Sequence, residues 1–177
     1  MRVDSSHRTI HPEYNSTTYA NDLALLRLPF NLSCTNGISK NEISPIRIPS
    51  LSQYTQTFAG DVALVSGFGQ FDDTKKISDV LRFARTQVIT HNLCMRKFGR
   101  DYVTAKTICT IGQIDAQGAC YNDEGGPLTV VEPTGQTLIG IVSFFDTNCN
   151  AKNPVGYVRI SSYVGWLSQN ANIPIRQ

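Results

Sequence analysis

The sequence predicts an all-β fold that ends in one short helix, and three observations predict it. Residues 80–90 (VLRFARTQVIT) and 136–145 (QTLIGIVSFF) alternate apolar with polar positions and are rich in β-branched side chains, as half-buried strands are. Turn-forming residues punctuate the chain between such runs, with Pro29, Asn36-Gly37, Pro45, Pro49 and Gly60 crowded into residues 29–60. Only in residues 163–170 (YVGWLSQN) do Val164, Trp166 and Leu167 mark out an apolar helical face.

In chain order, a polar segment rich in Ser, Thr, His and Asn leads into residues 21–28 (NDLALLRL), an apolar run opened by Asp22 and stopped by Pro29. An Asp at that place is by itself an ordinary turn residue. Residues 29–60 are turn-rich around a short extended run at 44–48. Residues 61–69 (DVALVSGFG) read as a strand with Phe68 in the core. The alternation over 80–90 around Leu81, Phe83 and Val88 suits a long half-buried strand. Residues 91–98 suit a short helix that carries Cys94 and has His91 at its start, and residues 136–145 and 154–160 (PVGYVRI) supply further strands. The other two histidines, His7 and His11, are expected in solvated loops.

With 177 residues the chain has room for one domain with a sizeable core. Its net charge is +2 with Lys and Arg scattered, which argues against nucleic acid or an anionic membrane surface as a partner. No apolar run approaches the ~20 residues of a membrane-spanning helix, and residues 1–14 lack the apolar stretch of a secretory signal. Its five cysteines, Cys34, Cys94, Cys109, Cys120 and Cys149, include no C-x-x-C pair and no metal-ligand spacing. Two sequons, Asn15-Ser16-Thr17 and Asn31-Leu32-Ser33, make Asn15 and Asn31 candidate glycosylation sites and agree with secretion.

The richest stretch is Cys120-Tyr121-Asn122-Asp123-Glu124-Gly125-Gly126-Pro127-Leu128. Taken alone, D-E-G-G-P is equally well a polar turn. It resembles the C-x-G-D-S-G-G-P-L signature of the chymotrypsin/trypsin-like serine proteases, and other matches follow in the same order. Residues 21–28 resemble the family's N-D-I-A-L-L-x-L strand, residues 61–69 its strand ending in S-G-W-G, and residues 163–170 its C-terminal helix. The resemblance covers roughly residues 14–170 and is most specific from Asp61 onward. It implies a double β-barrel with the N-terminal barrel incomplete. Residues 1–50 would be the remnant of the first barrel and the inter-barrel connection, and residues 51–177 the second barrel and helix, within a single domain. Insect chymotrypsin-like members are the nearest in character.

By the same resemblance Asp22 matches the aspartate of the catalytic triad and Glu124 replaces the nucleophilic serine. A carboxylate has no hydroxyl to activate, and its charge repels an oxyanion. Asn122 stands at the oxyanion-hole glycine: its N–H persists, but the backbone conformation that glycine permits is in question. The family's A-A-H-C segment, which holds the general base, has no counterpart in the chain. Asp123 matches the aspartate that pairs with the amine released by zymogen cleavage; with no I-V-G-G segment here, it is a charge in need of another partner. The neighbouring carboxylates are expected to raise one pKa.

The primary specificity pocket matches Gly118 and Ala119 at its base and Ser143, Phe144 and Phe145 along one wall, with Val155 on the other. Phe145 and Val155 replace glycines, so the pocket is expected to be narrowed or filled, unless the loop around 150–154 is shifted by two residues. The resemblance further implies bridges Cys94–Cys109 and Cys120–Cys149, which need an oxidising compartment. That leaves Cys34 as a free thiol, a bridge to another chain, or half of a pair with its partner elsewhere.

Two function classes follow. One is a secreted non-catalytic protease homologue that binds another secreted protein: a protease, a zymogen or an inhibitor. The other is a serine endopeptidase, as family membership suggests. A truncated product with no function of its own is the deflationary alternative. No cofactor or metal is implied.

Overall fold

Six strands close into a barrel whose interior is sealed mainly by β-branched and aliphatic side chains. The computed structural model describes residues 4–29, 44–71, 76–113, 118–149 and 152–177. The barrel strands are β3 (Val62–Gly67), β4 (Arg82–Ile89), β5 (Thr107–Gly112), β6 (Pro127–Glu132), β7 (Gly135–Phe145) and β8 (Val155–Arg159), preceded by β1 (Arg8–Ile10) and β2 (Ala24–Leu26). Around the barrel the order is β3, β4, β5, β8, β7, β6, and every pairing is antiparallel, including the β3–β6 pairing that closes it. Closure leaves no free sheet edge on this barrel. Ala63, Val65, Val88, Ile108, Leu128, Ile139, Val142 and Tyr157 fill its centre. N-terminal to it, β1 and β2 form a two-stranded antiparallel ladder.

Threonine is the interior's polar element. Thr86, Thr110 and Thr137 are fully buried, and each hydroxyl is satisfied: Thr86 donates to the Ala63 carbonyl, Thr110 pairs with the Tyr157 hydroxyl at 3.0 Å, and Thr137 donates to Glu132. Burial pushes the Tyr157 phenol well above its ordinary value, against the opposing effect of the Thr110 bond.

Two helices brace the barrel. In α1 (His91–Phe98) the Thr90 side chain caps the first turn by accepting from the Leu93 N–H, and Gly99 at φ 85° ends it. His91 begins this helix, as expected, and its Nε2 lies 2.8 Å from the Thr104 carbonyl. The helix is tied to β5 by the Cys94–Cys109 bridge. α2 (Val164–Ala171) packs Val164 and Leu167 against Leu23, Ile48, Val158, Ile160 and Tyr163, a second core that joins the N-terminal ladder to the outside of the barrel. The connection at 44–50 lies along β7, where Arg47 bridges Thr137 and accepts the Leu138 N–H.

Four expectations are corrected. Phe68 is 54% exposed, not core, because it lies between Gly67 and Gly69 where β3 leaves the barrel. β4 is a strand, yet Leu81 and Phe83 are 61% and 68% exposed while Val88 is 1% exposed. The odd positions point outward, and Ala84, Thr86 and Val88 point in. His11 is buried rather than solvated: its ring lies against Tyr163 and Trp166, with centroids 5.5 and 5.1 Å away. A flat imidazole is well suited to an aromatic cleft, and the His11 N–H bond to the Leu23 carbonyl delivers it there. The strand after Asp22 is short and largely exposed, three residues instead of the longer run.

Candidate functional site

The site lies where three segments converge: the lead-in to β2, the loop 118–126 and the end of β7. Leu23, buried against α2 and the end of β8, anchors the first segment. Asn21 in the left-handed conformation (φ 55°) turns the chain and spends its side chain on position: Nδ2 donates to the Glu13 carbonyl, and Oδ1 accepts from Lys106 and the Tyr163 hydroxyl. Asp22 is thereby held with Oδ2 2.6 Å from the Ser143 Oγ, which donates to it. Ser143 can reach because the β7–β8 register shifts between Val142 and Phe144. The Asp22 carboxyl is raised above its ordinary value, mainly by burial; the Ser143 bond opposes this, and the Glu124 charge adds to it.

The loop 118–126 is built around Asp123. Its Oδ1 accepts the Gly69 N–H at 2.8 Å and its Oδ2 accepts the Cys120 N–H at 3.0 Å, so backbone donors are the partners that the sequence left unnamed. The carboxylate occupies the space that a Cβ at Gly67 or Gly69 would need: such an atom at Gly67 would be 2.9 Å from Asp123 Cγ, and at Gly69 2.5 Å. The G-F-G in residues 67–69 was the available signal for this contact. Asn122 takes φ 69°, a conformation Asn tolerates, so the turn survives the loss of glycine. Among the described residues neither the Asn122 N–H nor the Glu124 N–H donates a hydrogen bond. The Glu124 side chain is exposed.

Two spaces adjoin this loop, and the one beside Phe145 is narrow. Gly118, Ala119, Phe145 and Val155 line a space of about 10 Å³, room for one water at most. Phe145 and Val155, the two glycine replacements, are paired residues on neighbouring strands, and the Tyr121 ring meets Phe145 edge-on at 5.3 Å. Neither Ser143 nor Phe144 lines this space. Ser143 is committed to Asp22, and Phe144 turns to the opposite side, against Phe98 (5.0 Å), Tyr102 and Tyr19. Its ring lies over Gly156, where an added Cβ would be 2.7 Å from Cε1. The Cys120–Cys149 bridge holds the pocket's base to its far wall. Behind the loop lies a cavity of about 450 Å³, with Gly67, Gly69, Asp123, Phe71, Leu81 and Phe83 among its lining.

Histidine takes no part in this arrangement among the described residues. His7 pairs with the Ser6 hydroxyl at 3.2 Å, and His11 Nδ1 accepts the Glu13 N–H. Cys34 and Asn31 lie outside the described residues.

A six-stranded antiparallel barrel with a C-terminal helix, carrying an Asp–Ser pair and a D-x-G-G loop at one end, defines the chymotrypsin-like class of folds. A family model described as Trypsin matches residues 2–167, and the chain belongs to that family, one of serine endopeptidases. It is similar to the collagenase of Hypoderma lineatum, with 33% identity over 172 residues covering 97% of this chain and 62% of that protein. Brachyurin of Leptuca pugilator is 31% identical over 175 residues, covering 98% of this chain and 70% of that protein. A solved structure of HL collagenase superposes with a TM-score of 0.80 at 31% identity, over 94% of this chain and 68% of that one. The chain therefore spans about two thirds of the length of these relatives. Its two disulfides fit an oxidising, extracellular setting.

Proposed function

We propose that this chain is a secreted, non-catalytic serine protease homologue, a single domain that acts by binding another secreted protein. The observation that carries this reading is Glu124 at the nucleophile position, beside an Asp22 that is bonded to Ser143 and to no imidazole. Serine proteases need a hydroxyl, a base to deprotonate it, and hydrogen-bond donors aimed at the developing oxyanion. Glu124 offers no hydroxyl and places negative charge beside the Asn122 and Glu124 N–H groups. A pocket reduced to about 10 Å³ also has no room for a substrate side chain. The elements that hold the barrel together, the two bridges and the α2 packing, are intact, which favours a retained binding role over a chain free to degenerate.

The test is activity and its attempted restoration. The purified chain is expected to take no fluorophosphonate label and to turn over chromogenic peptides no faster than a heat-treated control. Glu124→Ser alone is expected to stay inactive, because a serine without a base remains protonated and weakly nucleophilic. Label at residue 124, or hydrolysis by that variant, would overturn the reading in favour of the family's endopeptidase activity. That second reading is favoured by one feature, the left-handed turn at Asn122 that keeps two backbone N–H groups free. Cooperative melting, together with capture of one protease, zymogen or inhibitor from extracellular fluid, is the positive outcome. A chain that aggregates and captures nothing is the result expected of a truncated product.

A further inference from the structure

We propose that Asn15 is an acceptor for an N-linked glycan, presented at the closing pair of a hairpin whose Tyr19 packs beside the cleft. This rests on the secreted reading above. Asn15, Ser16 and Thr17 form an N-x-T sequon, and all three residues are exposed. They begin a tight hairpin closed by the Asn15–Ala20 bridge, with the Asn15 N–H donating to the Ala20 carbonyl at 3.0 Å. The Asn15 Oδ1 accepts the N–H groups of Thr17 and Thr18 at 2.9 and 3.2 Å. The amide is thereby held by its oxygen. Its Nδ2, the atom to be modified, makes no hydrogen bond among the described residues.

Tyr19, in the hairpin loop, and Asn21, just past its closing pair, are held by side-chain contacts. Tyr19 stacks on Phe144 at 6.2 Å and meets Tyr102 at 6.3 Å, and Asn21 is bonded to Glu13, Lys106 and Tyr163. A sugar on Asn15 displaces none of these contacts, so the folded chain accommodates it. The donor is a lipid-linked oligosaccharide pyrophosphate. A bond forms between Nδ2 and the anomeric carbon, the anomeric C–O bond to pyrophosphate breaks, and the Nδ2 proton leaves while the lipid pyrophosphate departs with the electron pair. Because Asn15 pairs with Ala20, next to the Tyr19 that rests on Phe144, the glycan is placed on the Phe144 side of the cleft.

The full chain, translated behind a secretory leader into microsomes, is expected to show an endoglycosidase-sensitive band shift. Asn15→Gln and Thr17→Ala should each abolish the Asn15 glycopeptide, whereas Ser16→Ala should keep it, since the middle position of the sequon is free. Glycosylated chain should melt as cooperatively as enzymatically deglycosylated chain. A peptide map with Asn15 unmodified would overturn the proposal, whether no shift is seen or the sugar is found at Asn31 alone. Since the leader supplies entry to the compartment, that failure would be distinct from failure of the secreted reading, which is read by locating the native protein.

Discussion

Gly67→Ala tests whether Asp123 is the element that organises the site. An added Cβ would fall on the Asp123 carboxylate and 2.9 Å from its Cγ, while Gly67 is a strand residue with no need of glycine's own conformations. The carboxylate must then leave the Gly69 and Cys120 N–H groups, which it now binds at 2.8 and 3.0 Å. Bonds to a charged acceptor contribute about 1.5–3 kcal/mol each, so the loss is about 3–6 kcal/mol against a typical total of about 5–15 kcal/mol. Urea denaturation under oxidising conditions should register it as a lower midpoint with an unchanged slope. Asp123→Ala loses the same two bonds but opens the space. In that background Gly67→Ala should cost under about 1 kcal/mol, so the two substitutions are strongly non-additive. Additive losses, or a Gly67→Ala that is neutral by itself, would refute the claim that the carboxylate dictates glycine there.

Three further outcomes are expected. Non-reducing peptide maps should join Cys94 to Cys109 and Cys120 to Cys149, and replacing either pair by alanine should cost about 3–4 kcal/mol from loops of 15 and 29 residues, read by thermal unfolding. Gly156→Ala should be among the most destabilising single changes, since it expels the Phe144 ring from its cluster, and Phe144→Leu should recover part of the loss. The folded pKa of Asp22 lies above its unfolded value, so its contribution to stability is fully present below the ordinary 3.8 and is lost as pH rises through the folded value. Relative to Asp22→Asn, wild-type stability should therefore fall with rising pH across that window, and a difference that rises there would refute the assignment.

Much of the site was legible in the chain itself. The D-E-G-G-P stretch and the Asp22 run are local features that carried the family resemblance and led to the loop and the lead-in to β2, and the pairing that the resemblance implied for four cysteines is that of the two bridges. The short helix over residues 91–98 was legible for the same reason, because its cap and its glycine stop are local. β5 and β6 left no period-two mark, since each carries a run of three consecutive buried positions that hides the alternation.

From the residues alone come the family, the identity of the groups at the chemical positions, and which positions are glycine. Which face of a strand turns inward was decided only by tertiary structure. β4 carries apolar side chains at both parities, and barrel closure chose the side with Thr86 and Val88, leaving Leu81 and Phe83 outside. The same holds for His11, drawn into the cleft between Tyr163 and Trp166, and for Phe144, sent away from the pocket it had been assigned to. Asp123 and Ser143 found their partners 54 and 121 residues away. A pattern along the chain reports what a residue can bond to, but the partner is set by which segments closure brings together.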